Sequence, residues 1–259
     1  MGKTISKSTL KELGRNGVID SSALEDFLGS CMRAASNTIE IPSNFSDLAV
    51  DPVFTCIVTD VSGSMTDCAK SVIESQPIML DALRGSAVTR HNAHYVSQIL
   101  FNATQKKLNG FKLLSVEQGA DKIVILNDKN YVPYGGTALY DTLHIVLQDM
   151  LAVLQDCYNE GLGPQMSVAV ITDGEDNQSK VSASVVRKLV QELRRKRILL
   201  SSVVLGLFGK SDGLDEHKLE KIKNTIGFDQ SLPCDKASPR DIRRKFIMAS
   251  QSAVAFKKH

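Results

Sequence analysis

The sequence lacks the cysteine pattern of a disulfide-stabilised or zinc-binding protein. Its five cysteines are odd in number, widely spaced and without any C-x-x-C pair: Cys31, Cys56, Cys68, Cys157 and Cys234. This spacing argues against a disulfide framework and against a zinc ribbon. A reducing compartment is the simpler interpretation, and we expect a cytoplasmic protein.

Long apolar runs, internal repeats and a strong net charge are also absent. No stretch approaches the roughly 20 apolar residues that a membrane helix needs, and the basic N-terminus lacks the apolar segment of a signal peptide. The 31 lysines and arginines against 29 acidic residues give a formal net charge of +2. We therefore expect no membrane span, and the balance of charge argues against nucleic acid as a partner.

Short apolar segments rich in β-forming residues indicate strands that are buried on both faces of a parallel sheet. They are VFTCIVT (Val53 to Thr59), SVAVIT (Ser167 to Thr172) and ILLSSVVL (Ile198 to Leu205), with HYVSQILFN (His94 to Asn102) as a further candidate. The runs FKLLSV and KIVIL, on either side of Glu117 to Asp121, predict an antiparallel edge strand or a hairpin.

Amphipathic helical patterns alternate with these strands. One apolar stripe runs from Leu139 to Cys157 and is closed by Gly161, and others begin near Val185, near Leu219 and at Pro239. Strands alternating with helices predict a doubly wound α/β fold, with a mostly parallel sheet and helices on both faces.

The first fifty residues differ from the rest of the chain. Ser22 and Glu25 are spaced as a capping box for one short helix, and a segment rich in Pro, Ser and Asn follows from Ile41 to Pro52. We therefore predict an N-terminal extension over residues 1–49 and one α/β domain over residues 50–259.

Oxygen-bearing side chains follow two of the predicted strands at the point where each strand ends. Asp60 follows the first strand, Ser62 and Ser64 come two and four residues later, and Asp173 follows the strand that ends at Thr172. The carboxyl ends of parallel strands meet at one edge of a sheet, and carboxylate and hydroxyl oxygens are the ligands that Mg²⁺ prefers. Gly63 would let the backbone bend between the two serines.

These segments resemble the metal-ion-dependent adhesion site of von Willebrand factor A (vWA) domains. Asp60 to Ser64 reads D-V-S-G-S, similar to the family's D-x-S-x-S signature. GGTALYD, which contains Thr137, resembles the second loop, and the T-D-G that contains Asp173 resembles the third. The three segments occur in family order, which makes the joint match far more specific than any one motif. The sequences of these segments are closest to those of stand-alone bacterial vWA domains.

The resemblance implies a Rossmann-like vWA fold that binds one divalent metal ion, Mg²⁺ with Mn²⁺ or Ca²⁺ as substitutes. By similarity, Asp60, Ser62 and Ser64 would bind the metal directly or through water, Thr137 would coordinate in the partner-bound state, and Asp173 would act mainly through water. The expected function is a binding module, not an enzyme: the metal takes a carboxylate from an Asp or Glu of a partner protein. Gly135 and Gly136 would let the Thr137 loop shift.

A metal-dependent hydrolase of the phosphatase type, using Asp60 as nucleophile or metal-bound water for attack, is the alternative. Such phosphatases place a second Asp two residues after the first, and that position is Ser62 here.

Two features of the sequence depart from the vWA pattern. Pro77 would start or kink a displaced first helix, and the long segment from Lys106 to Tyr134 would crowd or shape the metal face.

Overall fold

A computed structural model of the protein describes residues 7–30, 51–86, 92–117, 119, 122–208, 215–235 and 238–254. Its centre is a six-stranded sheet in the order β3-β2-β1-β4-β5-β6. The strands are β1 (Val53–Asp60), β2 (His94–Phe101), β3 (Gln105–Leu113), β4 (Gln165–Thr172), β5 (Leu199–Phe208) and β6 (Gln230–Asp235). All neighbouring strands are parallel except β2 and β3, which are antiparallel. The predicted fold class and its antiparallel edge strand are confirmed.

Helices cover both faces of this sheet. They are α1 (Lys7–Arg15), α2 (Ser21–Gly29), α3 (Ala69–Arg84), α4 (Leu139–Asn159), α5 (Ala183–Arg195), α6 (Glu216–Ile226) and α7 (Pro239–Val254). Among the described helices, none combines the length and the apolar character needed to cross a membrane.

The apolar core lies in two layers, one on each face of the sheet. Every residue of β1 and β2 is buried, which explains why polar and apolar residues do not alternate along these strands. One layer packs helices α1, α2, α4, α5 and α6 against the sheet. The other layer packs α3 and α7 against the opposite face, together with buried side chains from residues 114–131. Both faces of the sheet are therefore covered, which leaves the carboxyl edge of the parallel strands for a site.

The N-terminal extension contains two helices instead of the single predicted one. Asp20, not Ser22, caps α2: its carboxylate accepts hydrogen bonds from the backbone N–H groups of Ser22 and Ala23. The predicted capping box was therefore misplaced by two residues. The predicted boundary at residues 49 and 50 lies outside the described residues.

Both N-terminal helices pack on the core through the face that carries α4 and α5. The ring of Phe27 stacks on that of His144 with centroids 4.1 Å apart, and a ring nitrogen of His144 is 3.1 Å from the Phe27 carbonyl oxygen. The backbone N–H of Asp20 donates to the carboxylate of buried Glu192 at 2.9 Å. The extension is therefore part of the folded unit.

The KIVIL segment, residues 122–126, is not a strand. Side-chain amides satisfy its backbone instead of a neighbouring strand. Gln76 and Gln98 both donate to the carbonyl oxygen of Val124, at 3.1 and 2.7 Å, and the amide oxygen of Asn109 accepts from the N–H of Val124. The predicted hairpin is formed instead by β2 and β3.

Helix α3 is not displaced by Pro77. A 3₁₀ turn, Gly63–Cys68, begins within the D-V-S-G-S segment, and α3 begins directly after this turn at Ala69. Pro77 lies inside α3, where its ring removes one backbone donor but does not end the helix. Helix α3, the first helix of the predicted α/β domain, therefore follows closely after the segment that carries Ser62 and Ser64.

Candidate metal centre

The five predicted site residues lie at the carboxyl edge of the sheet, where β1 and β4 are neighbours. The chain leaves β1 toward β2 on one side and returns as β4 on the other, so the strand order reverses between them. Such a switch point opens a crevice between the loops that follow the two strands. Asp60 ends β1, and Asp173 directly follows Thr172, the last residue of β4.

The Asp60 carboxylate is completely buried and both of its oxygens are held by neighbours. The backbone N–H of Ser62 donates to Oδ1 at 2.7 Å, and the hydroxyl of Thr172 donates to Oδ2 at 2.5 Å. Burial raises the pKa of Asp60 from 3.8 to about 6, the bonds from Thr172 and Ser62 partly offset this, and the charge of Asp173 adds to it. The fold therefore holds a poorly solvated carboxylate that a nearby cation would stabilise.

Ser62, Ser64 and Asp173 form a continuous line of oxygens beside Asp60. The hydroxyl oxygens of Ser62 and Ser64 are 3.1 Å apart, and the Ser64 hydroxyl donates to Oδ1 of Asp173 at 2.6 Å. Ser62 and Asp173 are buried, whereas Ser64 is exposed at the surface of the edge. Loops from two different strands thus present their oxygens to one place.

The segment that ends at Gly135 holds the Asp60 loop from the outside. Buried Tyr131 donates its hydroxyl to the Asp60 carbonyl oxygen at 2.7 Å. The N–H of Tyr134 donates to the carbonyl of Val61 at 2.9 Å, and the N–H of Gly63 donates to the carbonyl of Gly135 at 3.0 Å. The long segment from Lys106 to Tyr134 does shape this face, as predicted from its length.

Thr137 is buried at the start of α4 and lies beside the third loop. A Cβ built on Gly174 would be 3.8 Å from its hydroxyl oxygen. The Thr137 N–H donates to the Asn177 side chain at 2.9 Å, and its carbonyl accepts from the N–H groups of Asn177 and Gln178. Thr137 is therefore fixed to the loop that carries Asp173.

The same two loops are joined again one turn farther along α4. The carboxylate of Asp176 accepts from the N–H of Tyr140, and that of Asp141 accepts from the N–H groups of Lys180 and Val181. Asp176 thus satisfies a backbone donor in the first turn of α4, and Asp141 satisfies two donors of the loop that precedes α5. The sequence alone assigned no role to Asp176 or to Asp141, although Asp141 lies within the quoted GGTALYD segment.

The glycines of the site differ in what their positions require. A Cβ on Gly136 would lie 2.7 Å from Gln178 Cγ and 2.8 Å from Asn177 Oδ1, so this glycine permits close packing of two loops, and the shift of the Thr137 loop stays a prediction. Gly135 does adopt a left-handed conformation, with φ of +76°. Gly63 has neither a left-handed φ nor a close neighbour, so the bend between the serines does not require glycine.

The donor set has the chemistry of a hard divalent cation. Oxygens at 2.0–2.1 Å around an octahedral Mg²⁺ are about 3 Å from their neighbours, which matches the 3.1 Å between the Ser62 and Ser64 hydroxyl oxygens and is close to the 2.6 Å from Ser64 to Asp173. Within the described part of the chain, no group of three or more His, Cys, Asp or Glu side chains is arranged for a metal. The candidate centre thus depends on two carboxylates supplemented by hydroxyls.

Comparison with known proteins identifies the fold alone. No protein-family model matches the sequence, and no curated protein is similar to it. Among solved structures, the PilB minor pilin from Streptococcus sanguinis has a TM-score of 0.53 at 13% identity, over 78% of this chain and 61% of that one. A von Willebrand factor type A protein from Catenulispora acidiphila has a TM-score of 0.49 at 14% identity, over 79% and 43% of the two chains.

The SpaC pilus adhesin from Lactobacillus rhamnosus GG is similar with a TM-score of 0.49 at 15% identity, over 78% of this chain and 30% of the adhesin. The chain spans less than two thirds of the length of each of these proteins. The described sheet, with its single antiparallel edge and helices on both faces, is a doubly wound α/β fold, which the PilB minor pilin shares.

Proposed function

We propose that this vWA-like domain is a metal-dependent protein-binding module. A Mg²⁺ ion at the carboxyl edge of the sheet would be held by Asp60, Ser62, Ser64, Thr137 and Asp173. Its free coordination position would take a carboxylate oxygen from an Asp or Glu of a partner protein. Mn²⁺ and Ca²⁺ would substitute, because both also prefer oxygen ligands.

The observation that carries this proposal is the line of oxygens across two loops. Ser64 reaches Asp173 at 2.6 Å although the two residues follow different strands, and Ser62 lies 3.1 Å from Ser64. Thr172 and the Ser62 N–H hold the carboxylate of Asp60 in one orientation. Ligands that are oriented by neighbouring hydrogen bonds bind a metal ion more tightly than mobile ones.

The bound metal would supply a Lewis-acidic centre for a carboxylate. The chain's own residues orient that centre and exclude water from its buried side. Asp60 and Asp173 together would balance the charge of a divalent ion. A carboxylate of the partner would therefore be attracted mainly through a direct bond between its oxygen and the metal. Binding would therefore be lost when the metal is removed.

We infer that the domain is a binding module and not an enzyme. A phosphatase of the type considered above needs an acid or base two residues after Asp60, where this chain has Ser62.

Calorimetric titration with MgCl₂ tests the metal site directly. We expect Asp60→Asn to abolish binding, and Asp81→Asn, a change at an exposed residue of α3, to leave it intact. Partner capture from a native extract should then require Mg²⁺ and fail both in EDTA and with Asp60→Asn. Capture that persists under both conditions would refute the proposal. Mg²⁺-dependent turnover of p-nitrophenyl phosphate that disappears in Asp60→Asn would support the hydrolase instead.

A further inference from the structure

Two large apolar side chains are exposed close to the candidate metal centre. Val132 is 54% exposed and Tyr134 is 63% exposed, and Pro133 lies between them. Elsewhere in the described residues, the large apolar side chains with comparable exposure are Tyr158 and Met248. We call residues 132–134 the apolar rim. Exposed apolar side chains grouped at one place often mark a site of protein contact.

The apolar rim is held against the loop that carries the metal ligands. The N–H of Tyr134 donates to the carbonyl of Val61, the residue between Asp60 and Ser62, at 2.9 Å. The carbonyl of Tyr134 accepts from the side-chain amide of Asn102 at 2.9 Å. Backbones joined in this way lie about 5 Å apart, so the backbone of the rim runs beside the loop that carries Asp60 and Ser62.

The rim is also anchored at its start, which keeps its backbone in place. Tyr131, directly before Val132, is buried and donates its hydroxyl to the Asp60 carbonyl. Pro133 fixes its own φ and has no N–H to satisfy. A rim with a fixed backbone loses little conformational freedom when a partner binds, which favours affinity. Tyrosine suits such a surface, because one end of its side chain is apolar and the other is polar.

Two exposed acidic residues follow the ligand segments closely in the chain. Glu175 comes two residues after Asp173, and Asp67 comes three residues after Ser64, and both are exposed. The two ligand carboxylates, Asp60 and Asp173, would be neutralised by a divalent ion, whereas Glu175 and Asp67 would keep their charge. A second carboxylate on the partner would meet these charges without a metal to bind it.

We propose that the apolar rim is the second half of the partner-binding surface. The partner then presents one carboxylate next to one large apolar side chain, with the carboxylate on the metal and the apolar side chain on Val132 and Tyr134. This inference rests on the proposed metal-dependent function, because the carboxylate fixes the register of the contact.

Short peptides of defined sequence test the inference. The probes are surface-immobilised hexapeptides that contain one Asp and, at a neighbouring position on either side, Leu, Phe or Ser, with Gly and Ser elsewhere. Binding is measured over a protein dilution series in Mg²⁺ and in EDTA. Burying one large apolar side chain strengthens binding by about tenfold, so we expect the Leu and Phe probes to bind about tenfold more tightly than the Ser probe.

Two tyrosine variants separate the rim from a general effect of surface tyrosines. Tyr134→Ala should reduce the preference for Leu or Phe over Ser to less than about twofold, since most of the buried area is lost, while calorimetric Mg²⁺ affinity stays unchanged. Tyr158→Ala is the matched control: Tyr158 is also exposed, but it lines a cavity of about 530 Å³ with Gln165 and Ile198, near the opposite ends of β4 and β5. It should keep the full preference.

The outcomes distinguish this inference from the function on which it rests. Mg²⁺-dependent binding without any preference for Leu or Phe would overturn the inference and leave the metal-dependent function intact. A preference that survives Tyr134→Ala would overturn it as well. Tighter binding of a probe with a second Asp would contradict the proposed single carboxylate. If no probe binds in a Mg²⁺-dependent manner and calorimetry detects no Mg²⁺, the proposed function and the inference both fail.

Discussion

Replacing Asp60 by Asn should make the metal-free protein more stable while abolishing its response to Mg²⁺. The buried carboxylate is destabilising when charged, since burial raises its pKa from 3.8 to about 6. A raised pKa means that the folded state binds this proton more tightly than the unfolded state. The associated stability is present below the unfolded pKa and is lost as pH rises through about 6.

The size of the effect follows from that shift. A difference of about two pKa units at 1.36 kcal/mol per unit corresponds to about 3 kcal/mol at neutral pH. Asparagine carries no charge and keeps the local contacts: its oxygen accepts from the Ser62 N–H, and its NH₂ group donates to the Thr172 hydroxyl. That hydroxyl can turn to the Gly174 carbonyl, 3.3 Å away.

Urea unfolding between pH 4 and pH 8 measures this prediction. In EDTA at pH 7.5, we expect Asp60→Asn to be more stable than the wild type by up to about 3 kcal/mol, with the difference vanishing near pH 4. A ligand at 100 times its Kd adds about 2.7 kcal/mol, and only the wild type should gain this from Mg²⁺. A less stable Asp60→Asn protein in EDTA at pH 7.5, or equal stabilisation of both proteins by Mg²⁺, would refute the reasoning.

Three further substitutions probe the supports of the site and of the fold. Gly136→Ala forces a Cβ against Asn177 and should lower the free energy of unfolding in urea by about 1–3 kcal/mol. It should also lower the Mg²⁺ affinity measured by calorimetry. Gly63→Ala is its control, because a Cβ there has no neighbour closer than 3.6 Å. Tyr131→Phe removes the hydrogen bond to the carbonyl of the first ligand and should cost about 1 kcal/mol in urea; an unchanged midpoint would contradict this. Phe27→Ala empties a core position and should cost about 3–5 kcal/mol; a loss below about 1 kcal/mol would show that the N-terminal helices are not part of the cooperative core.

The sequence alone was sufficient to predict the buried strands, whereas the metal ligands stay a prediction. Strands β1 and β4 show no alternation of polar and apolar residues because both faces are covered, and each ends at a polar residue. Strand β6 was missed because an edge strand needs no such run: its sequence is QSLPCD, it contains Pro233, and most of its residues are only partly buried. The strand predicted at residues 122–126 does not form. Their sequence is rich in β-forming residues, but side-chain amides of distant residues make the hydrogen bonds of the Val124 backbone.

The supporting residues of the site could not be assigned from sequence because their roles depend on distant partners. Asp176 and Asp141 look like ordinary charged residues until the folded chain brings residues 137–141 against residues 176–181. The same applies to Tyr131, whose hydroxyl meets a carbonyl 71 residues earlier in the chain. Local motifs can specify ligands, whereas the residues that orient them are determined by tertiary contacts.

The docking of α1 and α2 also constrains the order in which the protein is made and folded. These helices are synthesised before the elements on which they pack, and the Asp20 contact to Glu192 joins residues that are 172 positions apart. At 5–20 residues per second, this interval of synthesis takes roughly 10–35 s. Until α4 is made, Phe27 lacks the His144 ring on which it stacks, and until α5 is made, Asp20 lacks Glu192. Helices α1 and α2 are thus made well before the helices that bury them, and their apolar side chains are exposed to misassociation in the meantime.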